Sequence, residues 1–322
     1  MRILVTGRGS IAQRHVRHLR QILPDATVAV ISGPGEVDAP LRPCEVLPDF
    51  DAGLRWAPHA VIIASVSSRH AAELLACLEH GLPCLVEKPL VTDRAGLSQV
   101  RAAWTGRKGA AAVAVGCNLR YLPVVDRLRS MLHEGALGTI VRAHLEVGQD
   151  LAQWRPARDA RASYSADPSQ GGGVVLDLVH EADMALWLLG PLTVRAAAGG
   201  KLGPLPIRSD DVHVALLLRN NGAPVTISLD YVSSRAVRRY NIVGDRGTLT
   251  CDLTGRTLFL DDARGRETIT ADPQAFDVAE TYARQMKDWL EAVADPSRPV
   301  LSPMDDALMT AQLMLDMKEA AA

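Results

Sequence analysis

Ile3-Leu4-Val5-Thr6-Gly7-Arg8-Gly9-Ser10-Ile11-Ala12 is the stretch from which the rest of the chain can be read. Ile3 to Val5 is a short apolar run, the pattern of a strand buried on both faces. Gly7, Gly9 and Ala12 stand as G-x-G-x-x-A, the spacing that turns such a strand into a helix around a dinucleotide pyrophosphate. Gly7 permits the tight turn. Gly9 has no side chain to hold a phosphate off the backbone. Ala12 lets the helix lie close on the strand. The helix is expected to run to about Leu23, with Val16, Leu19 and Leu23 on one face. Its first-turn N–H groups and its dipole would face the phosphates.

Moving outward, Ala26 to Ile31 reads as the second parallel strand. An Asp or Glu at its end would bond a ribose 2′-OH, but this chain has Ser32 followed by Gly33-Pro34-Gly35. With no carboxylate to repel a 2′-phosphate and Arg8 to attract it, the reading leans to NADP over NAD. The alternatives are that Glu36 swings in, or that both cofactors are accepted. Residues 36–58 hold several prolines and little periodicity, and read as an irregular crossover with one short helix or strand. Ala60 to Val66, Cys84 to Val86 and Ala112 to Cys117 read as further buried strands. Helices are expected between them, one from Arg69 to His80 stopped by Gly81, another capped by Thr92 with Leu97, Val100 and Trp104 inward. This alternation predicts a doubly wound parallel α/β sheet over residues 1–118.

Beyond residue 118 the pattern changes. A helix is expected from Leu122 to His133, a strand from Thr139 to Val147, and a single helix from Val174 to Leu189 after Gly171-Gly172-Gly173. Strand-like runs follow at Thr193–Ala198, Val212–Leu218, Val225–Tyr231, Arg238–Val243, Thr248–Asp252 and Thr257–Leu260, separated by turn signals such as Asn221-Gly222. They read as an antiparallel meander. Residues 119–322 are thus expected to form an α+β domain with an open, mainly antiparallel sheet, ending in helices at Glu280–Ala294 and Asp305–Ala320, which could pack back on the first domain.

The composition excludes several classes. A net charge of −2 and 4% aromatic residues offer neither the field nor the stacking surfaces of a nucleic-acid binder. No apolar run is long enough to span a membrane, and the start of the chain does not read as a signal peptide. Five scattered cysteines without a C-x-x-C pair read as reduced thiols in a cytoplasmic protein, without structural zinc.

Three groups of residues could carry chemistry. Glu87-Lys88-Pro89 ends a parallel strand, on the edge where open α/β sheets bind ligands. A Lys there can hold a substrate oxygen beside a nicotinamide, or it can be a solvated strand end; the bond before Pro89 is open to the cis form. Asp177, His180 and Asp183 lie at i, i+3 and i+6, and on one helix the first two share a face. A carboxylate beside a His holds its tautomer and suits it to acid–base work. The competing readings are a surface His with ion partners, or a metal site; no second His or Cys joins at ligand spacing, so no metal is expected. Trp154, Arg155, Arg158, Arg161 and Tyr164 crowd a loop upstream. Guanidinium groups suit carboxylates or phosphates, and aromatic faces suit sugar rings. The plainer reading is a solvated loop. Asn118, Arg120 and Tyr121 are candidates for the same pocket. His15 and His18 share a helix face and read as surface residues.

Taken in order, these motifs resemble the Gfo/Idh/MocA family of NAD(P)-dependent oxidoreductases over nearly the whole chain. The carriers are the glycine turn at 7–12, Ala64-Ser65-Val66 with His70, Glu87-Lys88-Pro89, Asn118-x-Arg120-Tyr121-x-Pro123, and Gly171-Gly172-Gly173 leading to His180-x-x-Asp183. The resemblance implies an N-terminal Rossmann domain and a substrate domain that also serves oligomerisation, here a dimer or tetramer. It implies Lys88 and His180 as catalytic, with Asp177 as the helix-borne carboxylate. It implies cofactor contacts from Gly7 to Ala12, Ser32, Ser65, His70, Glu87, Lys88 and Asn118. Substrate contacts would come from Arg120, Tyr121, Trp154, Arg155, Arg161, Tyr164, Asp177 and His180. The spacing from Asp177 to His180 is three residues where the family usually has four. The segment Trp154…Asp159…Arg161…Ser163-Tyr164-Ser165-Ala166, with Asp177-Leu178-Val179-His180-Glu181, resembles a branch associated with bacterial sugar and surface-polysaccharide metabolism, including nonulosonic-acid pathways. The implied reaction moves hydride between nicotinamide and a hydroxyl or ketone carbon of a sugar or sugar derivative. The alternatives are reduction of a non-sugar C=N or C=C bond, or a non-catalytic dinucleotide sensor.

Overall fold

The computed structural model describes residues 1–32, 38–106, 111–154 and 163–321. The chain divides into two compact units, Met1–Asn118 with Ala279–Ala311, and Leu119–Val278 with Gln312–Ala322.

In the first unit the chain runs β1 (Arg2–Thr6), α1 (Ser10–Ile22), β2 (Thr27–Ile31), β3 (Glu45–Leu47), α2 (Phe50–Arg55), β4 (Ala60–Ile63), α3 (His70–Glu79), β5 (Cys84–Val86), α4 (Arg94–Thr105) and β6 (Val113–Val115). The strands lie in the order β3-β2-β1-β4-β5-β6, and every pair is parallel. β4, β5 and β6 are buried from end to end, as a sheet covered on both faces requires. The order reverses between β1 and β4, which is where a ligand crevice opens in such sheets. Ala12, Val16 and Leu19 of α1 pack with Ile3 and Val5 in one core that also takes in Met286 and Trp289. Those two residues come from the returning segment. Gln285 Nε2 and Ser302 Oγ both donate to Val115 O, at 2.9 and 2.8 Å.

Two local readings are corrected here. The 36–58 crossover contains both a strand, β3, and a helix, α2, which Asp49 caps by accepting the Ala52 N–H at 2.7 Å. The cap of α4 is Asp93, not Thr92: its carboxylate accepts the Gly96 N–H at 2.8 Å. Asp93 has the extended backbone of a cap, φ −152° and ψ 170°.

The second unit runs α5 (Pro123–His133), β7 (Ile140–Gly148), α6 (Leu151–Trp154), α7 (Val174–Asp177), α8 (His180–Leu189), β8 (Leu192–Gly200), β9 (Val212–Arg219), β10 (Pro224–Asp230), β11 (Val237–Gly244), β12 (Gly247–Asp252), β13 (Thr257–Asp262) and β14 (Gly265–Thr270). Helices α9 (Val278–Ala294) and α10 (Met304–Ala320) follow; from Ala279 to Ala311 this segment belongs to the first unit, and the rest of α10 to the second. The sheet order is β14-β13-β12-β11-β7-β10-β9-β8. It is open and mainly antiparallel, as expected, but it is not a simple meander. β7, made first, sits in the middle, antiparallel to β11 and parallel to β10. Alternation along a strand says which face is buried, not which strand lies beside it. β14 escaped the sequence reading because it has no buried face; Arg266 and Glu267 give it the charged character of an edge.

The helix expected from Val174 to Leu189 is broken. α7 ends at Asp177, Leu178 takes φ −96° and ψ 29°, and α8 starts at His180. Asp177 and Leu178 still donate to residues four back, whereas Glu181 N–H reaches only Leu178 O, at 3.3 Å. The helical i, i+3 argument that put Asp177 and His180 on one face therefore does not apply. Among the described residues no helix is long and apolar enough to cross a membrane.

Candidate functional site

The first unit carries a cradle for an anion. Gly7 has φ +84°, and a Cβ there would meet Ala64 O at 2.6 Å, so the turn needs glycine and lies against the end of β4. Gly9 is the N-cap of α1 and no side chain caps that end. A Cβ on Gly9 would meet no protein atom within 4 Å. Open space, an uncapped helix start and its N–H groups fit the pyrophosphate of a dinucleotide. Arg8 and Ser10 are exposed, Ile11 is half-buried and Ala12 is buried. Gln13 Nε2 donates to Arg8 O at 3.2 Å and to Asp38 Oδ2 at 2.8 Å, which brings a carboxylate beside the turn. Ser32 is buried, and its N–H donates to Leu47 O. Glu36 lies outside the described residues.

A second layer surrounds Lys88, which is half-buried. The Lys88–Pro89 peptide is cis. The ring of His70 stands between Pro89 O, 2.8 Å from Nδ1, and Ser65 O, 3.2 Å from Nε2. It thereby ties the loop after β4 to the lysine turn. Ser65 Oγ donates to Glu73 Oε2 at 2.9 Å. Asn118 Nδ2 donates to Thr281 Oγ1 at 2.7 Å. Glu87 is buried and lies 2.6 Å from His15 Nε2. Burial works against its charge. The hydrogen bond and charge of His15, with Lys88 and His70 nearby, outweigh that and hold its carboxyl below the usual range. His15 is fully buried and not a surface residue. It falls on the Ala12, His15, Val16, Leu19 face, a spacing the sequence already contained. His18 is half-exposed and meets Gln21 at 3.3 Å.

The second unit carries the other group of polar side chains. Both oxygens of Asp177 accept tyrosine hydroxyls, from Tyr164 at 2.7 Å and Tyr231 at 2.8 Å. Tyr231 is fully buried, and burial together with the Asp177 charge pushes its hydroxyl pKa well up. His180, at the head of α8, is 8% exposed. Next to it, buried Glu181 accepts Arg238 Nε at 2.7 Å and Nη2 at 3.1 Å, with Tyr240 OH at 3.3 Å. Arg120 is buried against Asp183, and Tyr121 is buried. Trp154 ends α6. Arg155, Arg158 and Arg161 lie outside the described residues. Sequence reading missed Tyr231 and the Glu181–Arg238 pair. The one signal for the latter was charge inside an apolar run, since Asp177, Glu181 and Asp183 interrupt a helix of Val, Leu and Ala. Among the described residues no group of three or more His, Cys, Asp or Glu could hold a metal ion.

A parallel sheet with a glycine turn built for a pyrophosphate, in one chain with a second unit whose helix α8 begins with a histidine among buried carboxylates, defines a dinucleotide-dependent oxidoreductase. Residues 1–115 match the profile of the oxidoreductase family with an NAD-binding Rossmann fold, and residues 125–250 match the GFO/IDH/MocA C-terminal domain. The chain belongs to the Gfo/Idh/MocA family. It is 30% identical over 266 residues to an inositol 2-dehydrogenase of Acidothermus cellulolyticus, covering 77% of this chain and 72% of that one. It is 26% identical over 315 residues to the inositol 2-dehydrogenase of Streptomyces avermitilis, covering 90% and 83%. A levoglucosan dehydrogenase solved with NADH and levoglucosan shares the fold, with a TM-score of 0.84 at 20% identity over 100% of this chain and 97% of that chain.

Proposed function

We propose that this chain is an NAD(P)-dependent dehydrogenase acting on a CH–OH group of a cyclic polyol, sugar or sugar derivative. The observation that carries this is the state of His180. The carboxylates around it in sequence, Asp177, Glu181 and Asp183, are committed to tyrosine and arginine partners. An imidazole beside carboxylates held in place in this way is a group suited to move a proton. The bound nicotinamide would supply or accept hydride. Lys88 would hold developing negative charge on the substrate oxygen, an oxyanion-type role. His180 would take or return the hydroxyl proton. Asp177, gripped by two tyrosines, would offer its remaining lone pairs to His180 or to a neighbouring hydroxyl. Arg120, Tyr121 and Tyr164 would contribute substrate contacts from the second unit; contacts from Trp154, Arg155 and Arg161 rest on the family resemblance alone. The names of the inositol and levoglucosan dehydrogenases support a polyol-type substrate.

Ser32 and the exposed Arg8 support NADP as the preferred form, and Asp38 is the group that would oppose it. The open sheet supports a homo-oligomer, a dimer or tetramer, and the free thiols support a cytoplasmic location. The test is oxidation of myo-inositol, monosaccharides and sugar nucleotides by the purified chain with NAD+ and with NADP+, followed by nicotinamide absorbance. Turnover on a polyol with either cofactor is expected. Tight cofactor binding with no turnover on any of them would favour the non-catalytic sensor instead.

A further inference from the structure

We infer that His15 is a positioning residue for Lys88, acting through Glu87, so that the helix holding the phosphate end and the turn holding the lysine move as one body. The inference rests on the role proposed for Lys88. His15 is on α1, six residues past Gly9, and is fully buried. Its Nε2 lies 2.6 Å from Glu87 Oε1, and Glu87 Oε2 accepts the Lys88 N–H at 3.2 Å. Room for that carboxylate comes from Gly116, where a Cβ would approach Glu87 Oε2 at 2.9 Å. Behind His15, the Tyr282 ring stands edge-on with centroids 6.3 Å apart, and Arg14 covers Tyr282 at 4.3 Å. Beyond Lys88, His70 holds Pro89 O. The lysine is thus fixed from both sides, by His15 through Glu87 before it and by His70 after it.

Two buried ionisable groups are not an efficient way to add stability. Apolar residues of the same volume often do as well, because desolvation offsets the attraction. What the pair supplies is direction. An apolar contact can slide, whereas a short hydrogen bond to one carboxylate oxygen sets the angle of the other. Small displacements at a reacting group carry large rate penalties.

The test uses the full chain and three variants, His15→Leu, His15→Gln and His15→Asn. Leucine removes the bond, glutamine can donate to Glu87 again, and asparagine is too short to reach. The first readout needs no turnover: trace acylation of lysines by acetic anhydride across a pH series, read by peptide mass spectrometry. Among the described residues the charged or titratable groups facing this cluster include His15, Arg14 and His18 from α1, His70 from α3, Tyr282 from α9, and Glu87 and Lys88 themselves, and only His15 is changed. The Lys88 labelling rate should depart from that of the unaltered chain in His15→Leu and His15→Asn. It should return in His15→Gln, while Lys287, which is largely exposed, stays put. Superimposable Lys88 profiles in all three variants would overturn the inference, whether or not a substrate is known.

The second readout is turnover. His15→Leu should lower kcat by roughly ten- to a hundredfold with cofactor affinity little changed, and should cost nothing more in a Lys88→Ala background. A full-sized His15 effect without Lys88 would mean a merely structural role. If the unaltered chain oxidises no polyol, the functional reading fails and the labelling result still decides this one.

Discussion

Arg120 and Asp183 meet as a two-pronged ion pair inside the second unit, Nε 3.0 Å from Oδ2 and Nη2 2.6 Å from Oδ1. The side chains are 2% and 0% exposed. The Trp187 ring lies under the Arg120 guanidinium at 5.5 Å and under that of Arg129 at 4.5 Å. The pair ties the segment before α5 to the helix that begins with His180. Removing Arg120 alone would leave a buried carboxylate, at a cost of about 3–5 kcal/mol. Arg120→Leu is expected to lose that much in urea unfolding, and Arg120→Leu with Asp183→Leu to regain most of it. Equal losses in the single and double variants would show that the charge is not what is being satisfied.

The two glycines of the turn should respond differently to the same substitution. Gly9→Ala places a methyl where no protein atom lies within 4 Å, so apo stability should change by less than about 0.5 kcal/mol. That methyl would occupy the space a phosphate needs, and NADH affinity should fall by roughly tenfold or more. Gly7→Ala combines a positive φ with a backbone contact at 2.6 Å, and should lose stability as well as affinity. Calorimetry of apo protein beside fluorescence titration of NADH separates the two.

Lys88→Ala and His180→Ala should each cut kcat by about 10²–10⁴-fold. Cofactor affinity should stay close to that of the unaltered chain. Steady-state kinetics on the best polyol, with NADH fluorescence for binding, checks both. Normal turnover in either variant would remove that residue from the mechanism.

Glu87 gives a pH signature whose sign is set. Its pKa is lowered in the folded chain, so its contribution to stability is full above the ordinary glutamate range. That contribution is lost as the pH falls through the lowered value. Between about pH 6 and pH 3 the unaltered chain should therefore lose more stability than Glu87→Gln. Denaturant unfolding of the two proteins across that range measures the difference. Parallel curves would mean that the carboxylate is not held in its charged form by folding.

Removing the Tyr231 hydroxyl should cost about 1–3 kcal/mol, because buried Asp177 then loses a donor. Tyr164→Phe should cost less, since Tyr164 is only half-buried and water can substitute. Thermal unfolding of both variants gives the comparison.

The parts of the molecule legible in the sequence were those where local chemistry has one outcome. Gly7, Gly9 and Ala12 demanded a turn between strand and helix, and the apolar runs at Ile3, Ala60 and Cys84 demanded a covered sheet. What was not legible depends on partners far along the chain. The break at Leu178 leaves no mark in an apolar run of high helical promise. It goes with an Asp177 held by Tyr164 and Tyr231, the latter 54 residues away. The central place of β7 depends on β10 and β11, and no pattern within residues 140–148 names either. His15 is different: its spacing from Ala12 and Val16 places it on the inward face, although a histidine pair on one helix face reads as surface. A buried imidazole needs a partner, and Glu87, 72 residues on, supplies it.

The seating of Trp289 bears on how the protein is made. The nucleotide-binding unit is not one continuous piece of chain. Met286 and Trp289 complete the core beneath β1, and an isolated bridge between Ala114 and Pro303 extends the pairing beyond β6. During synthesis, residues 1–118 leave the ribosome first, yet the large apolar seat beneath β1 stays unfilled until Trp289 emerges. The sheet edge at β6 waits longer still, for Pro303. A nascent chain paused in between would present that seat to solvent, which makes the interval a natural point for chaperone engagement. It also makes a fragment cut at the apparent end of the nucleotide-binding segment a poor choice for expression.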